Sequence, residues 1–259
     1  MTFRYNSSNI ANYDTSMKGA IIVGIDLIHG DCLEVMKTLE DKSVDLIITS
    51  PPYNLGTYHH TRNKVFKSYT EYRDDMPEEL YQEWQIEVLK ECYRLLKDDG
   101  SMFYNHKNRI KDGKQISPYE WLFKTDFIIK QELVWMNGTP NFDKCRFYPM
   151  TERVYWLSKS VDTKMYNHIS HMDVFSGSEW KSQGTKGEHK RAFPAQLPRD
   201  IICCFREAEV VLDPFMGSGT TGVIAAQSGK HFIGIEIDEG YFNLAKSKIK
   251  ENEKGNTLF

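Results

Sequence analysis

The chain has 259 residues, 40% of them hydrophobic, and a formal net charge of −3, which is long enough for one large α/β domain or for a domain with an inserted lobe. That weak negative charge gives no global attraction to nucleic acid, so any such contact has to come from local clusters. No apolar run approaches the roughly 20 residues of a membrane span, and the polar start over 1–16 lacks a signal-peptide core, so a cytoplasmic protein with no membrane partner is expected. Cys32, Cys92, Cys145, Cys203 and Cys204 are odd in number and scattered, without a CxxC pair or a histidine at metal spacing. They read as reduced thiols, and no metal site is expected.

In chain order, Ala20 to Ile25 and Leu27 to Asp31 carry short strand signals, followed by a helical pattern through Cys32, Val35, Met36 and Leu39. Val44 to Ile48 reads as a buried parallel strand. From Gly56 to Asp75 the periodicity disappears, and His59, Arg62, Lys64 and Lys67 interleave with aromatic residues, as in a long loop over a site. Pro77 opens an amphipathic helix that buries Leu80, Trp84, Val88, Leu89, Cys92, Leu95 and Leu96, with Gly100 just past its end. Strands are expected over 101–104, 127–135 and 153–157, with a short helix over 119–123. Residues 158–191 lose the pattern again and hold the basic run Lys181, Lys186, Lys190 and Arg191, which is either a solvated loop or a contact surface. A helix over 198–205, a strand over 210–212, a helix from Thr220 to about Gln227, a strand over 231–237 and a last helix over 241–250 complete an alternation that argues for a doubly wound sheet.

Two stretches carry chemistry. The strand at 44–48 runs into Thr49, Ser50, Pro51, Pro52 and Tyr53. Two prolines remove two backbone donors and fix two φ angles, leaving carbonyl acceptors beside the flat face of Tyr53. Such a corner suits a planar ring that brings its own N–H groups, as the exocyclic amine of a nucleobase does. Far along the chain, Asp213, Phe215, Gly217, Ser218, Gly219, Thr220 and Thr221 end a strand and open a helix, where glycines let a ligand approach and N–H groups face an anion. Gly217, Gly219 and Gly222 satisfy G-x-G-x-x-G, with Glu236 near the expected acidic position, so an NAD-binding fold competes. The unit lies too near the C-terminus to complete a dinucleotide fold, and no Gly-Lys-Ser/Thr follows to make a P-loop.

Ser50-Pro51-Pro52-Tyr53 resembles the catalytic motif of the amino-group DNA methyltransferases. Asp213-Pro-Phe-Met-Gly-Ser-Gly-Thr-Thr221 is similar to their S-adenosylmethionine motif, a more specific match. With the catalytic motif first and the cofactor motif late, the order resembles the permuted β group of that family. The resemblance implies a Rossmann-like, circularly permuted α/β fold with a doubly wound, mostly parallel seven-stranded sheet. Catalytic and cofactor halves would lie over 1–157 and 191–259, with a target-recognition region over 158–190 between them. It implies S-adenosylmethionine as cofactor, with Asp213 facing its cations, Glu236 its ribose, Asp31 and Cys32 its adenine end, and Pro194 in a segment that closes over its methionine end. For Asp31 an N-cap role competes, and both could hold. Duplex DNA is the implied partner, contacted through the 59–73 and 181–191 clusters, with a homodimer and a cognate restriction endonuclease left open. Ser at the first motif position favours cytosine N4, with adenine N6 as the alternative. An RNA or protein-amide substrate, or a non-enzymatic DNA-binding member of the fold, stands behind these. No cysteine follows a proline, which disfavours attack on cytosine C5.

Overall fold

The computed structural model describes residues 24–55, 58–61, 64–67, 74–136, 145–166, 173–176 and 193–253. The elements are β1 (Ile25–His29), α1 (Cys32–Met36), β2 (Val44–Thr49), β3 (Tyr58–Thr61), β4 (Lys64–Lys67), α2 (Glu78–Leu95), β5 (Leu96–His106), β6 (Arg109–Lys111), β7 (Lys114–Ile116), α3 (Tyr119–Leu122), β8 (Ile128–Met136), β9 (Thr151–Ser158), β10 (Val174–Phe175), α4 (Gln196–Cys204), β11 (Val210–Asp213), α5 (Thr220–Gln227), β12 (His231–Glu236) and α6 (Glu239–Glu253). The central sheet runs in the order β1-β12-β11-β2-β5-β9-β8-β10. Seven of these strands are the expected sheet, and the eighth, β10, is a two-residue addition that pairs parallel with β8. Only β9 runs against its neighbours β5 and β8.

Both faces of the sheet are covered, which is why β2 is apolar almost throughout. Leu46 and Ile48 pack with Leu197, Ile201, Ile224 and Ile249 from α4, α5 and α6. Val44 and Ile47 pack instead with Met36, Val88, Leu89, Leu95 and Trp121 from α1, α2 and α3. Strict alternation would put Val44 on the face of Leu46, yet it packs with Ile47, and between Val44 and Leu46 the register against β5 shifts, the extra residues being in β5. Gly100 belongs to that irregularity and does not cap α2. A Cβ there would lie 2.8 Å from the Leu96 side chain and 2.9 Å from the Asp45 carbonyl oxygen.

One expected loop contains a hairpin, and a second hairpin lies where no element was expected. Within 56–75, β3 and β4 pair antiparallel, so the stretch is not uniformly irregular. Its ends are clasped: Asp74 accepts from the Asn54 and Leu55 amides at 2.6 and 3.2 Å, and the Asn54 side chain exchanges two bonds with the Met76 backbone. Asn54 sits at φ 56°, a conformation that asparagine tolerates better than most side chains. Residues 109–116 form the second hairpin, β6–β7, turned by Asp112 and Gly113 at positive φ. No described helix is long and apolar enough to cross a membrane.

The chain goes from β2 to β5 on one side and from β11 to β12 on the other, so strand order reverses between the neighbours β2 and β11. In open α/β sheets a ligand crevice forms at that switch, outside the carboxyl ends of the strands. The carboxyl ends of β1, β2, β5, β11 and β12 and the amino end of β9 meet along this rim.

Candidate active site

An open cleft with roughly 590 Å³ of empty space occupies the switch point, lined on one side by Ser50 and Pro52 and on the other by Phe215, Gly217 and Glu236. Asp31, Cys32, Trp84 and Tyr241 complete its walls. The two distant motifs therefore share one cavity. They are also bonded beneath it: the Thr49 hydroxyl donates to Asp213 Oδ1 at 2.7 Å, and Thr221 donates to Asp213 Oδ2 at 2.8 Å. The Phe215 amide adds a third donor at 3.1 Å. Burial nevertheless pushes the Asp213 carboxyl up to about 6, because three hydrogen bonds replace its hydration only in part. At 2% exposure Asp213 lies under the floor of the cleft, where it ties β2 to the glycine loop and does not line the ligand space.

The glycine loop takes its shape from residues that a side chain would disrupt. Gly219 caps α5 at φ 82°, and a Cβ on it would lie 2.9 Å from the Ala245 Cβ. Gly217, at φ 52°, donates its amide to Glu236 Oε2 at 2.9 Å, while Glu236 Oε1 accepts from the Asp238 amide at 2.8 Å. Burial drives the Glu236 carboxyl up to about 7; the two amides oppose that shift, and the neighbouring Asp238 and Asp213 add to it. Asp31 caps α1, its Oδ1 accepting from the Leu33 and Glu34 amides at 2.9 and 3.2 Å. It is exposed at the cleft wall, so capping and lining coexist. Ser218 and Thr221 are buried behind the loop, and Thr220 opens α5. Pro194 is buried before α4, its carbonyl accepting from the Leu197 amide, and is not among the cleft-lining residues.

At the catalytic corner a polar chain fixes the direction of each hydroxyl. The Tyr53 hydroxyl donates to Glu152 Oε2 at 2.8 Å and lies 2.8 Å from Ser50 Oγ. Because the tyrosine proton is committed to the carboxylate, Ser50 donates to the tyrosine oxygen; its Oγ also lies 3.3 Å from the Asn105 amide donor, which leaves one lone pair for the cleft that Ser50 lines. Asn105 Nδ2 donates to Tyr53 at 2.7 Å and to Glu152 at 3.1 Å, while Asn105 Oδ1 is buried without a partner among the described residues. Burial, reinforced by the Glu152 charge, holds the Tyr53 phenol well above its ordinary value, so its proton stays in place. The Tyr53 ring packs on His106 with centroids 4.6 Å apart.

Pro52 is anchored from below, its carbonyl accepting from the Tyr81 hydroxyl at 2.7 Å. Tyr81 also lies 2.7 Å from His106 Nε2, and Gln85 donates to it at 2.9 Å. Burial takes the His106 imidazole down to about 3, so it is neutral. Its Nδ1 faces the Lys107 carbonyl at 2.8 Å and therefore carries the proton, so Nε2 accepts and the single Tyr81 proton is shared between Nε2 and the Pro52 carbonyl.

Trp84, Tyr241, Asn105 and Glu152 are site residues that periodicity did not single out. Trp84 sits on the apolar stripe of α2, where a residue that walls a cleft looks like any core residue. Glu152 precedes its strand's apolar run and carries no local signal at all. Of the expected DNA contacts, His59, Lys64 and Lys67 fall in the β3–β4 hairpin, whereas Arg62, Lys181, Lys186, Lys190 and Arg191 lie outside the described residues.

The sequence profile of the N6/N4 DNA methylases matches residues 44–247. Type II methyltransferase M.HinfI of Haemophilus influenzae is 30% identical over 249 residues, which is 87% of this chain and 68% of that protein. Among solved structures, the PvuII DNA methyltransferase, described as cytosine-N4-specific, superposes with a TM-score of 0.68 at 21% identity, covering 89% of this chain and 92% of its own. The M1.HpyAVI complex with S-adenosylmethionine gives a TM-score of 0.58 at 23% identity, covering 87% and 98%.

Proposed function

This chain belongs to the N6/N4 DNA methylase family, and from that premise we propose that it methylates cytosine N4 at specific sites in duplex DNA. It is an enzyme, a DNA amino-methyltransferase, and S-adenosylmethionine is its methyl donor. The cleft residues fit that cofactor: Gly217 brings backbone without a side chain to the wall, and two carboxylates, Asp31 and Glu236, line the same space. Asp31, Glu236 and the start of α5 would hold it, with Trp84, Phe215 and Tyr241 offering flat apolar surface. When bound, it supplies a methyl group activated by a sulfonium.

The observation that carries the catalytic assignment is the outward acceptor face of Ser50, enforced by the Glu152–Tyr53–Ser50 chain at the edge of the cofactor cleft. Exocyclic amines of bases are conjugated and poorly nucleophilic. An acceptor that takes an amino hydrogen draws the nitrogen lone pair out of conjugation, and a fixed corner holds it in line for transfer. Ser50 and the Pro51 carbonyl fill that role, Pro52 is the anchored end of the corner, and Tyr53 supplies the ring on which an extruded base stacks. Extrusion costs a few kcal/mol, which these contacts must return.

Cytosine is supported by Ser50 at the first motif position and by the description that the PvuII structure bears. Adenine N6 is the alternative, and Glu152 favours it: a buried chain ending in a carboxylate gives Ser50 some of the acceptor strength of an aspartate. Sequence recognition by residues 158–190, phosphate contacts from the 59–73 and 181–191 clusters, a homodimer and a cognate restriction endonuclease belong to the same proposal. The Type II name of the Haemophilus influenzae relative is in line with the last of these. Nucleoside mass spectrometry of duplex DNA incubated with protein and cofactor tests the target. N4-methylcytosine is expected, N6-methyladenine would transfer the assignment to the alternative, and an unmodified digest would refute both.

A further inference from the structure

The basic clusters that the sequence offers for DNA are not the only ones, and the β6–β7 hairpin carries another. Residues 107–116 and 145–150 hold five cationic side chains and a single carboxylate, Asp112, in a chain of net charge −3. One cation is structural. Arg109 is buried, makes two bonds to Glu78 at 2.7 and 2.8 Å, and lies 4.6 Å from the Tyr81 ring centroid. It nails the base of the hairpin to the same tyrosine that anchors Pro52.

The tip is different. Lys111 and Lys114 are exposed and stand directly opposite each other in the antiparallel pair, and like charges in that register destabilise a hairpin. A third cation joins them, for Arg146 donates to the Gly113 carbonyl at 3.0 Å and so brings residues 145–150 against the turn. Next to Arg146, Phe147 is fully exposed and Tyr148 is 51% exposed. The base of the hairpin stands beside the catalytic corner, for Lys107 Nζ lies 5.9 Å from the Tyr53 ring centroid, and Glu152 follows the 145–150 segment by two residues.

We propose that the β6–β7 tip and residues Arg146 to Tyr148 form a wall of the DNA-binding face, with Lys111, Lys114 and Arg146 on backbone phosphates and Phe147 offered to the base stack next to the extruded base. This rests on duplex DNA being the substrate. Lys111 has a long contact, 4.0 Å, to Glu78, whose two oxygens Arg109 already holds, so phosphates supply the negative charge that the facing pair is short of, and an exposed apolar ring at the rim of a basic surface matches the side chains that wedge into base steps. The fold requires neither feature: the lysines face each other, and the ring stands in water.

The test has two arms. Binding of a labelled mixed-sequence duplex is followed by anisotropy as salt is raised, for the wild type and for a Lys111→Gln/Lys114→Gln variant. Each phosphate contact contributes about 0.9 to the log–log slope, so the variant's slope is expected to be shallower by about 1.8, with the melting temperature not lowered and cofactor affinity unchanged. An unchanged slope in a folded variant overturns the wall, and so does a variant that alters only self-association, which would make the face a contact between copies. In the second arm, Phe147→Ala is assayed on duplexes carrying the mapped target base paired normally or opposite an abasic position. The loss is expected to be about tenfold greater on the paired duplex, where unstacking is harder; equal losses, or none, overturn the role of Phe147. DNA methylation that persists with an unaltered slope sinks the wall alone, whereas a wild type that transfers no methyl to DNA sinks both the wall and the substrate assignment.

Discussion

Glu236 gives the sharpest test of the cofactor half. Its two oxygens accept from the Gly217 and Asp238 amides, yet at 9% exposure its carboxyl rises to about 7. An acid whose folded value is raised contributes stability that is fully present below its unfolded value and lost as pH rises through the folded one. The cofactor-free protein should therefore weaken between about pH 4.5 and about pH 7, by at most about 3 kcal/mol from this group. Binding should run the other way. Ribose hydroxyls need acceptors and a cationic ligand favours the ionised carboxylate, so the cofactor should bind tighter as pH rises through 7 and expel a proton as it does. One unit below that value about a tenth of the sites are ionised, and affinity should fall about tenfold. Asp213, at about 6, adds to the stability change but faces away from the cleft. The assay is calorimetry of S-adenosylmethionine binding a unit either side of pH 7, in two buffers of different ionisation enthalpy. Because the ligand's own amine titrates nearby, Glu236→Gln is the control. It places an amide donor against a backbone N–H at 2.8 or 2.9 Å, so affinity should drop at every pH and the Glu236 component of proton release should vanish. Wild type and variant with the same pH dependence would refute the assignment.

At the catalytic corner, Tyr53→Phe keeps the ring on His106 but cuts the chain from Glu152 to Ser50, so kcat should fall about tenfold or more while cofactor affinity holds. Unaltered kcat would show that Ser50 needs no orientation from behind. Tyr53→Ala should suppress transfer further and still leave cofactor binding nearly intact, and equal loss of both would contradict the division between the two halves. Thr49→Val removes one of three donors from buried Asp213. A loss of about 1.5–3 kcal/mol is expected, read as a lowered midpoint in urea; no change would mean that the contact is replaced by water. Gly219→Ala forces a side chain into φ 82° and against Ala245, so it should abolish measurable cofactor binding in calorimetry.

How much of this could be read from the chain depends on where each residue's partners lie. The elements around β2, α2, β11, α5 and β12 were legible because their apolar period is strong and their ends carry proline or glycine. The β6–β7 hairpin was not, since it buries only Arg109 of its six strand residues and shows no period of two. Nor was β3–β4, which lies inside an aromatic, basic stretch without apolar periodicity. Gly100 was misread as a cap because a glycine required for close approach of two strands looks in sequence like one that ends a helix. In the site, motif residues could be named but not always their tasks. Asp213 was expected to face a cation, and the structure has it facing two threonines, one of them 164 residues away. Glu152 and Asn105 had no signal, because what makes them part of the site is their placement around Tyr53, 99 and 52 residues distant.

That separation also explains why the two halves can come in either order along a chain of this fold. The catalytic corner and the cofactor loop meet because β2 and β11 are neighbours at the reversal of strand order, and the sheet fixes this whichever strand is made first. What the sheet does not fix is the distance between the two loops beyond the strand ends, where hydrogen-bond pairing stops. Buried Asp213 does that work, and buried Glu236 braces the cofactor side. Asp213 binds Thr49 on the catalytic side and Thr221 and the Phe215 amide on the cofactor side; Glu236 binds Gly217 across to β12. Burial raises the values of both, to about 6 and about 7, and the donors oppose that rise. Loosening the Asp213 contacts would leave a buried carboxyl short of partners, which costs more than the hydrogen bond itself. That cost, set between β2 and the glycine loop, ties corner to cradle where strand pairing no longer reaches.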